Sequence, residues 1–353
     1  MLLQRVLNIP FFFNIGDGCS AAIGDILAEH NLTFRRPVIV TGSTQTTDIG
    51  AEIQRSAAFR SARMIKVRDN TYAEVARLRE ALLATSSDLV VAVGGGKIQD
   101  VCKLASHEHG IPYVAVPTTL SNDGISSPVA VIRKDPLAPH ESVGAHMPLG
   151  VIVDMEIVKG APPDTLRAGV GDLVSNISAL QDWQYAHRVR GERIDTFAVL
   201  LAHTATEMVV AFARQPSPEV SLFDHGFLTR LGEGLILSGL AMAVAGSSRP
   251  CSGSEHLISH ALDRLLPRPR PHGLQVGVAT LLMETIRGND IKELEDLFAK
   301  LGIPTRFADL DIPDEVVEEA LRIAPSMRPG RCTILNEDTI HRVVSGAIGE
   351  IHS

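Results

Sequence analysis

Short apolar runs alternate with amphipathic segments in the first part of the chain, and the two patterns predict strands and helices in turn. The strand-like runs are residues 38–42, 64–67, 88–96 and 112–119, and a further apolar run covers 150–158. The segments with helical spacing are 51–62, 71–85 and 98–108. Strands this apolar, separated by helices, are typical of a parallel sheet covered on both faces. We therefore predict a Rossmann-like α/β domain over residues 1–160.

The pattern changes near residues 159–163, where the sequence Lys-Gly-Ala-Pro-Pro interrupts the chain. Long segments of helical periodicity follow, with almost no strand signal. They are residues 164–189, 194–213, 219–246, 252–266, 273–287, 290–302 and 312–324. We predict an all-α second domain over 161–353. A cleft between two such domains is a frequent place for small-molecule sites.

Composition narrows the classes of function. The 353 residues are 45% hydrophobic and 21% charged, with a net charge of −8, which disfavours a nucleic-acid or membrane partner. The cysteines lie far apart and form no CxxC pair; they are Cys19, Cys102, Cys251 and Cys332. This usage favours a reducing, cytoplasmic setting over a disulfide framework or a thiolate zinc site.

Two apolar stretches could be a secretion signal or a membrane span. Asn8, Pro10 and Asn14 interrupt the one near the N-terminus, and no small-residue cleavage site follows, so we expect no secretion signal. The charge-free stretch from Gly234 to Ser248 is too short to span a bilayer, and we predict that it forms a buried helix.

The most distinctive local motif is an apolar strand that runs into Gly94, Gly95 and Gly96 and then into a helix. Three residues without Cβ atoms let a pyrophosphate approach the backbone N–H groups at the helix start. The motif is neither GxGxxG nor a P-loop, so a tight strand-to-helix turn without a ligand is an equal alternative. Lys103 on the following helix is expected at the surface or in a local ion pair.

A polar loop follows the next strand. Its short polar side chains are Thr118, Thr119, Ser121, Asn122, Asp123, Ser126 and Ser127. The carboxyl ends of strands in an open α/β sheet are where ligands bind, so this pattern favours a functional loop over a plain solvent loop.

A dispersed cluster of metal-binding residue types lies in the second half. His256 and His260 are four residues apart on a predicted helix and share one face, while Asp172 and His272 lie in separate segments. One carboxylate and two or three imidazoles suit Zn²⁺ or a similar ion. In a chain with 13 histidines, such a pair also arises by chance, so buried structural histidines remain an alternative.

Several motifs occur in an order that resembles one enzyme family. They are VGGGKIQD, PTTLSNDGISSP, AGVGDLVSN, SSRPCSGSEHLISHALD and HGLQVGVAT, with QDWQYAHRVRGE at 181–192 and RPGRCTIL at 328–335. Together they resemble the glycerol-1-phosphate dehydrogenase family, within the iron-containing alcohol dehydrogenase and dehydroquinate synthase-like superfamily. The likeness covers roughly residues 35 to 335 and implies a dehydroquinate synthase-like fold.

The resemblance also implies roles for individual residues. It assigns the phosphates of NAD or NADP to Gly94, Gly95, Gly96, Lys97 and Ile98. It assigns the nicotinamide side to Thr118, Thr119, Leu120, Ser121 and Ser127. One divalent ion would be held by Asp172, His256 and His272, with zinc the first choice and nickel or iron also compatible. Substrate would meet Asp123, Asp172 and His260, and Asp123 and His260 would be the catalytic side chains.

The implied reaction interconverts dihydroxyacetone phosphate and sn-glycerol 1-phosphate by hydride transfer at C2, a step of phospholipid biosynthesis. The alternatives are a dehydroquinate synthase-like sugar-phosphate cyclase, a dehydrogenase for a related polyol, and a non-catalytic cofactor-binding protein. We expect a phosphorylated polyol substrate, neither nucleic acid nor membrane as partner, and a homo-oligomer. The candidate cations for the substrate phosphate are Arg249, Arg264, Arg268 and Arg270, with Arg268 and Arg270 favoured as part of a solvated connection.

Three positions bear on how closely the chain follows the family. Leu274 stands where the family often has an acidic residue, and Cys251 replaces a more usual alanine. A less polar surrounding of His272 would tune the metal and the substrate range. The loop at 41–48 places no carboxylate directly after its strand, so NAD and NADP both stay open.

Overall fold

The structure is a computed structural model that describes residues 9–42, 45–136, 138, 140–214, 221–336 and 338–341. The chain divides into two compact units, Met1–Pro162 and Pro163–Ser353. We describe each unit by itself.

Unit 1 is built on a six-stranded parallel sheet within the described residues. Its strands are β1 (Phe12–Gly16), β2 (Pro37–Thr41), β3 (Arg63–Lys66), β4 (Leu89–Gly94), β5 (Tyr113–Pro117) and β8 (Gly150–Asp154). Their order is β1-β8-β5-β4-β2-β3. The helices are α1 (Ile23–Glu29), α2 (Gln45–Arg55), α3 (Tyr72–Thr85), α4 (Gly96–His109) and α5 (Met155–Val158), with 3-10 turns at Ala57–Phe59 and Asp123–Ile125. An antiparallel hairpin pairs β6 (Val129–Arg133) with β7 (His140–Gly144).

The central strands explain why this sheet forms. All residues of β2, β4, β5 and β8 are buried, because their alanine, valine and isoleucine side chains are covered on both faces of the sheet. The apolar run at 150–158 divides at Asp154, whose carboxylate accepts from the N–H of Glu156 and caps α5.

Unit 2 is helical, and no strand lies within its described residues. Its helices are α6 (Pro163–Val174), α7 (Asn176–Arg190), α8 (Thr196–Val210), α9 (His225–Ala245), α10 (Ser254–Leu265), α11 (His272–Arg287), α12 (Lys292–Leu301) and α13 (Asp314–Met327), with a 3-10 turn at Phe307–Leu310. The predicted fold class, a Rossmann-like α/β unit followed by a helical one, is confirmed.

Three predicted helix boundaries are wrong. The helix predicted over 51–62 is α2, which begins at Gln45 and ends at Arg55, before the 3-10 turn at Ala57–Phe59. The other two differ for local reasons. The segment 164–189 is two helices, because the Ser175 hydroxyl donates to the carbonyl of Asp172 at 2.6 Å where α6 ends. α9 begins at His225 instead of residue 219, because the Asp224 carboxylate accepts from the N–H of Phe227 at 2.9 Å. Residues 219 and 220 lie outside the described residues.

Helix α9 is long and apolar enough to cross a membrane by length and composition, but 67% of its most apolar stretch is buried inside the protein. Burial of this kind is typical of a core helix. The helix ends at Ala245, and Gly246 takes the left-handed conformation with φ 65°.

Candidate metal centre and dinucleotide cradle

The glycine turn of unit 1 lies at the point where the strand order of the sheet reverses. Strand β4 ends at Gly94 and α4 begins at Gly96, next to the end of β2 in the sheet. The chain leaves β2 toward one edge and returns at β4 on the other side, and ligands bind outside such a switch point.

The glycines of this turn have different surroundings. A Cβ atom on Gly94 would lie 2.5 Å from Cγ1 of Ile98, which is closer than packing allows. At Gly95 and Gly96 the nearest neighbours of an added Cβ are 3.4 and 3.8 Å away. Gly94 therefore serves the packing of Ile98, whereas Gly95 and Gly96 leave open backbone at a helix N-terminus, where anions are favoured.

The polar loop begins at the same edge of the sheet. Gly94 and Pro117 are partners in the β4–β5 register, and the N–H of Thr118 donates to the carbonyl of Gly94 at 3.2 Å. Leu120 is fully buried, and the Asn122 side chain accepts from the N–H of Gly124 at 2.9 Å, which starts the turn that contains Asp123. Thr118 to Ser121 thus follow the strand end beside the glycine turn, whereas Ser127 is buried and follows the 3-10 turn at Asp123–Ile125.

Lys103 corrects the expectation of a surface residue, one of the two alternatives that the sequence left open. Its side chain is completely buried, and its ammonium donates to the carbonyls of Gly124 at 2.8 Å and Val129 at 2.7 Å. Burial lowers its pKa, while the nearby Asp100 charge opposes this shift. Lys103 therefore fastens the polar loop to α4, a role that an isolated lysine in a helix does not reveal from sequence.

Three side chains from separate helices of unit 2 converge on one point. Asp172 lies on α6, His256 on α10 and His272 at the start of α11, and their ligand atoms lie within 4.8 Å of one another. The Asp172 Oδ1 atom is 3.8 Å from Nε2 of His256 and 3.9 Å from Nε2 of His272. The side chains of Asp172 and His256 are 6% and 12% exposed, but that of His272 is 33% exposed, so the cluster is accessible on the His272 side.

Glycine contacts bring two of these side chains together. A Cβ atom on Gly273 would lie 1.9 Å from the carbonyl oxygen of Ala168, and one on Gly171 would lie 2.1 Å from that of Gly273. The backbones of α6 and α11 therefore touch, because no side chain separates them. This contact places Asp172, which follows Gly171, beside His272, which precedes Gly273.

Hydrogen bonds orient both imidazoles. Nδ1 of His256 lies 2.9 Å from the carboxylate of Glu255, and Nδ1 of His272 lies 3.0 Å from the hydroxyl of Ser259. With each Nδ1 carrying the proton, each Nε2 is left as a lone pair that faces the cluster. Glu255 and Ser259 were not predicted; each directly precedes a candidate histidine, and this adjacency is the only signal in the sequence.

The start of α10 is held by a buried ion pair. The N–H of Ser254 donates to the carboxylate of Asp182 at 2.6 Å, and Arg287 lies 2.8 Å from the same carboxylate. This network positions the first turn of α10, which carries His256. Asp182 and Arg287 were also not predicted.

His260 lies one helical turn beyond His256. Its ring centroid is 6.4 Å from that of His256 and 5.9 Å from that of His272. Burial, followed by the charges of His272 and His256, lowers the pKa of His260 to about 3. Burial, followed by the charges of Arg331 and Arg328, lowers the pKa of His256 to about 3. Both imidazoles are neutral near pH 7, the form that binds metal or accepts hydrogen bonds.

The positions that depart from the family pattern lie in packed surroundings. Leu274 is buried, and Ser259 supplies the polar contact of His272 instead. Cys251 is also buried and contacts the Ser238 hydroxyl at 3.2 Å. All four cysteines carry free thiols.

The donors of unit 2 fit a divalent cation. A tetrahedral ion with ligands at about 2.0–2.1 Å needs donors roughly 3.3 Å apart. The donors lie 3.8 and 3.9 Å from Asp172 Oδ1 and within 4.8 Å of one another, so binding an ion requires the side chains to close around it. In unit 1 the uncovered backbone at Gly95 and Gly96 fits a dinucleotide phosphate, because an added Cβ there would fill the space above the helix start.

Comparisons with known proteins agree with this architecture. A family model described as Iron-containing alcohol dehydrogenase matches residues 14–162. The glycerol-1-phosphate dehydrogenase [NAD(P)+] of Pyrococcus furiosus is 39% identical over 313 residues, which are 88% of this chain and 89% of that protein. The enzyme of the same name from Methanosarcina mazei is 38% identical over 93% of this chain and 91% of that protein.

Solved structures show the same fold. A probable glycerol dehydrogenase from Sinorhizobium meliloti superposes with a TM-score of 0.76 at 22% identity, covering 99% of both chains. Sulfoacetaldehyde reductase from Bifidobacterium kashiwanohense, solved in complex with NAD+, gives a TM-score of 0.72 at 20% identity, covering 98% of both chains. At these identities, the likeness establishes the fold alone.

Proposed function

We propose that this chain, which belongs to the glycerol-1-phosphate dehydrogenase family, interconverts dihydroxyacetone phosphate and sn-glycerol 1-phosphate with NAD or NADP. The relatives that are 38% and 39% identical over most of the chain confirm the family resemblance that the motifs predict. The observation that carries the proposal is the convergence of Asp172, His256 and His272, which gives the chain the donor set for a Lewis-acid cation.

Asp172, His256 and His272 would hold one divalent ion, and we assign zinc, with nickel and iron as ions that the same donors accept. When bound, such an ion polarises the C2 oxygen of the substrate and stabilises negative charge that develops there. Glu255 supports this role, because its carboxylate fixes the proton of His256 on Nδ1 and raises the basicity of Nε2.

His260 and Asp123 are the proposed catalytic and substrate-contacting side chains, together with Asp172. A neutral imidazole at His260 accepts a hydrogen bond from the substrate hydroxyl, and its low pKa favours this role over storage of a proton. Lys103 holds the carbonyl of Gly124 and so fixes the turn that presents Asp123.

The cofactor would bind along the switch point of unit 1. The N–H groups around Gly94, Gly95, Gly96, Lys97 and Ile98 would donate to the pyrophosphate, and Thr118 to Ser121 with Ser127 would line the nicotinamide side. After β2, the N–H of Gly42 donates to the Thr46 hydroxyl at 2.8 Å, and no carboxylate follows the strand directly. NAD and NADP are therefore both proposed as cofactors.

The proposal extends to the setting of the enzyme. The substrate is a small phosphorylated polyol, and we place the enzyme in the cytoplasm, where the four free thiols stay reduced. We also propose a homo-oligomer as the working form.

A substrate panel on metal-stripped protein reloaded with zinc, nickel or iron tests the reaction class, the metal and the cofactor together. With dihydroxyacetone phosphate, we expect one NADH or NADPH to be oxidised per product formed. A cyclase of the dehydroquinate synthase type would regenerate its cofactor in each turnover and show no net oxidation. Equal rates with dihydroxyacetone and its phosphate would instead indicate a dehydrogenase for an unphosphorylated polyol.

A further inference from the structure

A pair of arginines shares one hydroxyl close to the metal cluster of unit 2. Arg328 Nη1 donates to the Ser248 hydroxyl oxygen at 2.7 Å, and Arg331 Nη2 donates to the same oxygen at 3.3 Å. The two guanidinium groups therefore converge on one neutral atom, although like charges repel. We call Arg328 and Arg331 the arginine pair.

The negative charge around the arginine pair compensates it only in part. Neither guanidinium forms an ion pair with a carboxylate among the described residues, and both side chains are half-buried. The Nε atom of Arg331 is fully buried and has no hydrogen-bond partner in the described part of the chain. Burial, followed by the Arg328 and Arg249 charges, lowers the pKa of Arg331 to about 9, and the charges of Glu255 and Glu192 oppose this shift without cancelling it. Partly desolvated cations without an ion-pair partner are costly, so this arrangement fits a site that takes an anion.

Arg249 lies in the same region and shows what a satisfied arginine looks like here. Its Nε donates to the Glu192 carboxylate at 2.6 Å, its Nη2 forms a second bond to that carboxylate, and its Nη1 donates to the carbonyl of Cys332 at 2.8 Å. Its charge is paired with Glu192 and its Nε, Nη1 and Nη2 atoms all donate, so Arg249 holds the 332 segment in place. The other candidate arginines do not form a buried cationic site. Arg270 donates to the Leu310 carbonyl at 2.6 Å, and Arg264 and Arg268 are exposed.

The arginine pair is tied to the helix that carries His256. Arg331 Nη2 also donates to the carbonyl of Ser252, two residues before α10 begins and four before His256. The charges of Arg331 and Arg328 act on His256, and that of Arg328 acts on His260 as well. An anion on the pair would therefore lie near the helix segment that carries His256 and His260.

We propose that Arg328 and Arg331 form the subsite for the phosphate group of the substrate and so set the preference for a phosphorylated polyol. This assignment deepens the proposed function and rests on it for the identity of the phosphate ester. Planar guanidinium groups suit phosphate because each offers two parallel N–H donors. The arginine pair can supply them once the Ser248 hydroxyl is shared or displaced.

Binding of inorganic phosphate to the metal-loaded protein tests the subsite without any turnover. We expect phosphate to raise the melting temperature of the wild type in a saturable way at constant ionic strength. Arg328→Gln and Arg331→Gln should lose that response, Arg331→Lys should retain part of it, and the exposed Arg268→Gln should keep all of it. In phosphate-free buffer, Arg328→Gln should melt no lower than the wild type, because it removes one of two repelling charges.

Kinetics supply the second readout. Each glutamine variant should raise KM for dihydroxyacetone phosphate by about 10- to 100-fold, the effect of losing one charged hydrogen-bonding partner. The ratio of kcat/KM for dihydroxyacetone phosphate to that for dihydroxyacetone should fall by a similar factor, whereas Arg268→Gln should leave it unchanged. Folded glutamine variants that keep both the phosphate response and the substrate ratio would overturn the assignment. If the wild type turns over neither substrate, the proposed function is wrong, and the phosphate response still decides whether the arginine pair binds the anion.

Discussion

Two sites of the molecule are built in different ways: the cradle of unit 1, which is the turn Gly94–Gly96, and the metal cluster of unit 2, which is Asp172, His256 and His272. The cradle depends on main-chain atoms and on missing side chains, since Gly95 and Gly96 expose the start of α4. The metal cluster depends on side chains, and its three donors come from α6, α10 and α11. One site is local in sequence, whereas the other exists only after separated helices have packed.

The difference shows two uses of glycine in one molecule. In unit 1, Gly96 leaves space for a ligand, because the nearest contact of an added Cβ beyond its own helix is the Asn122 side chain, at 3.8 Å. In unit 2, Gly273 leaves no space, because the carbonyl of Ala168 occupies it. The same substitution should therefore harm ligand binding at one position and packing at the other.

The largest effect is expected from Gly273→Ala. The added methyl meets a backbone oxygen that cannot rotate away, so α6 and α11 must separate and Asp172 must move from His272. We expect a loss of about 3 kcal/mol in the free energy of unfolding, together with loss of bound metal and of activity. Urea unfolding and metal analysis measure the two effects.

Gly96→Ala is the matched control, because it places the same methyl in the first turn of α4. It should retain the metal and unfold at no lower urea concentration than the wild type. If Gly273→Ala did the same, helix contact through glycine would not be what assembles the metal cluster.

A smaller effect is expected from Glu255→Gln. The amide keeps the size of the side chain but removes the charge that orients His256, so metal affinity should fall by about 10- to 100-fold. Competition with a chelator measures the affinity. Glu319→Gln on the exposed face of α13 is the control, and equal affinities of the two variants would contradict a role for the Glu255 charge.

The smallest effect separates the glycines of the cradle. Gly94→Ala should lower the free energy of unfolding by about 1–3 kcal/mol, because its methyl meets Ile98. Gly96→Ala should leave stability unchanged or raise it by up to about 1 kcal/mol, since alanine favours helices, yet weaken NADH binding about tenfold. Fluorescence titration with NADH measures the binding. Unaltered NADH affinity in Gly96→Ala would place the cofactor elsewhere.

The sequence predicted the parts of the fold whose signal is local. Continuous apolar runs located β2, β3, β4 and β5, and helical periodicity located α3 and α4 closely. Strand β1 was not predicted, because Phe12–Gly16 contains an asparagine and only one β-branched residue. The β6–β7 hairpin was not predicted either. Strand β6 begins with four apolar residues that do carry a strand signal, whereas β7 is His-Glu-Ser-Val-Gly and has no apolar run.

In the candidate site, too, the features with a local signal could be predicted and those that depend on tertiary packing could not. The glycine turn and the polar loop can be recognised in the sequence. The spacing of His256, His260 and His272 did not show which of them are metal ligands, and only the resemblance to the family selected two of the three. The supporting contacts of Glu255, Ser259 and Lys103 depend on tertiary packing, which no local pattern encodes.

The central claim is that Asp172, His256 and His272 hold the single ion on which the reaction depends. Anomalous diffraction from crystals of zinc-loaded protein tests it most directly. We predict one strong peak at about 2.0–2.1 Å from Nε2 of both histidines and from a carboxylate oxygen of Asp172. A fully active zinc-loaded enzyme whose zinc peak lies away from these three side chains would contradict it.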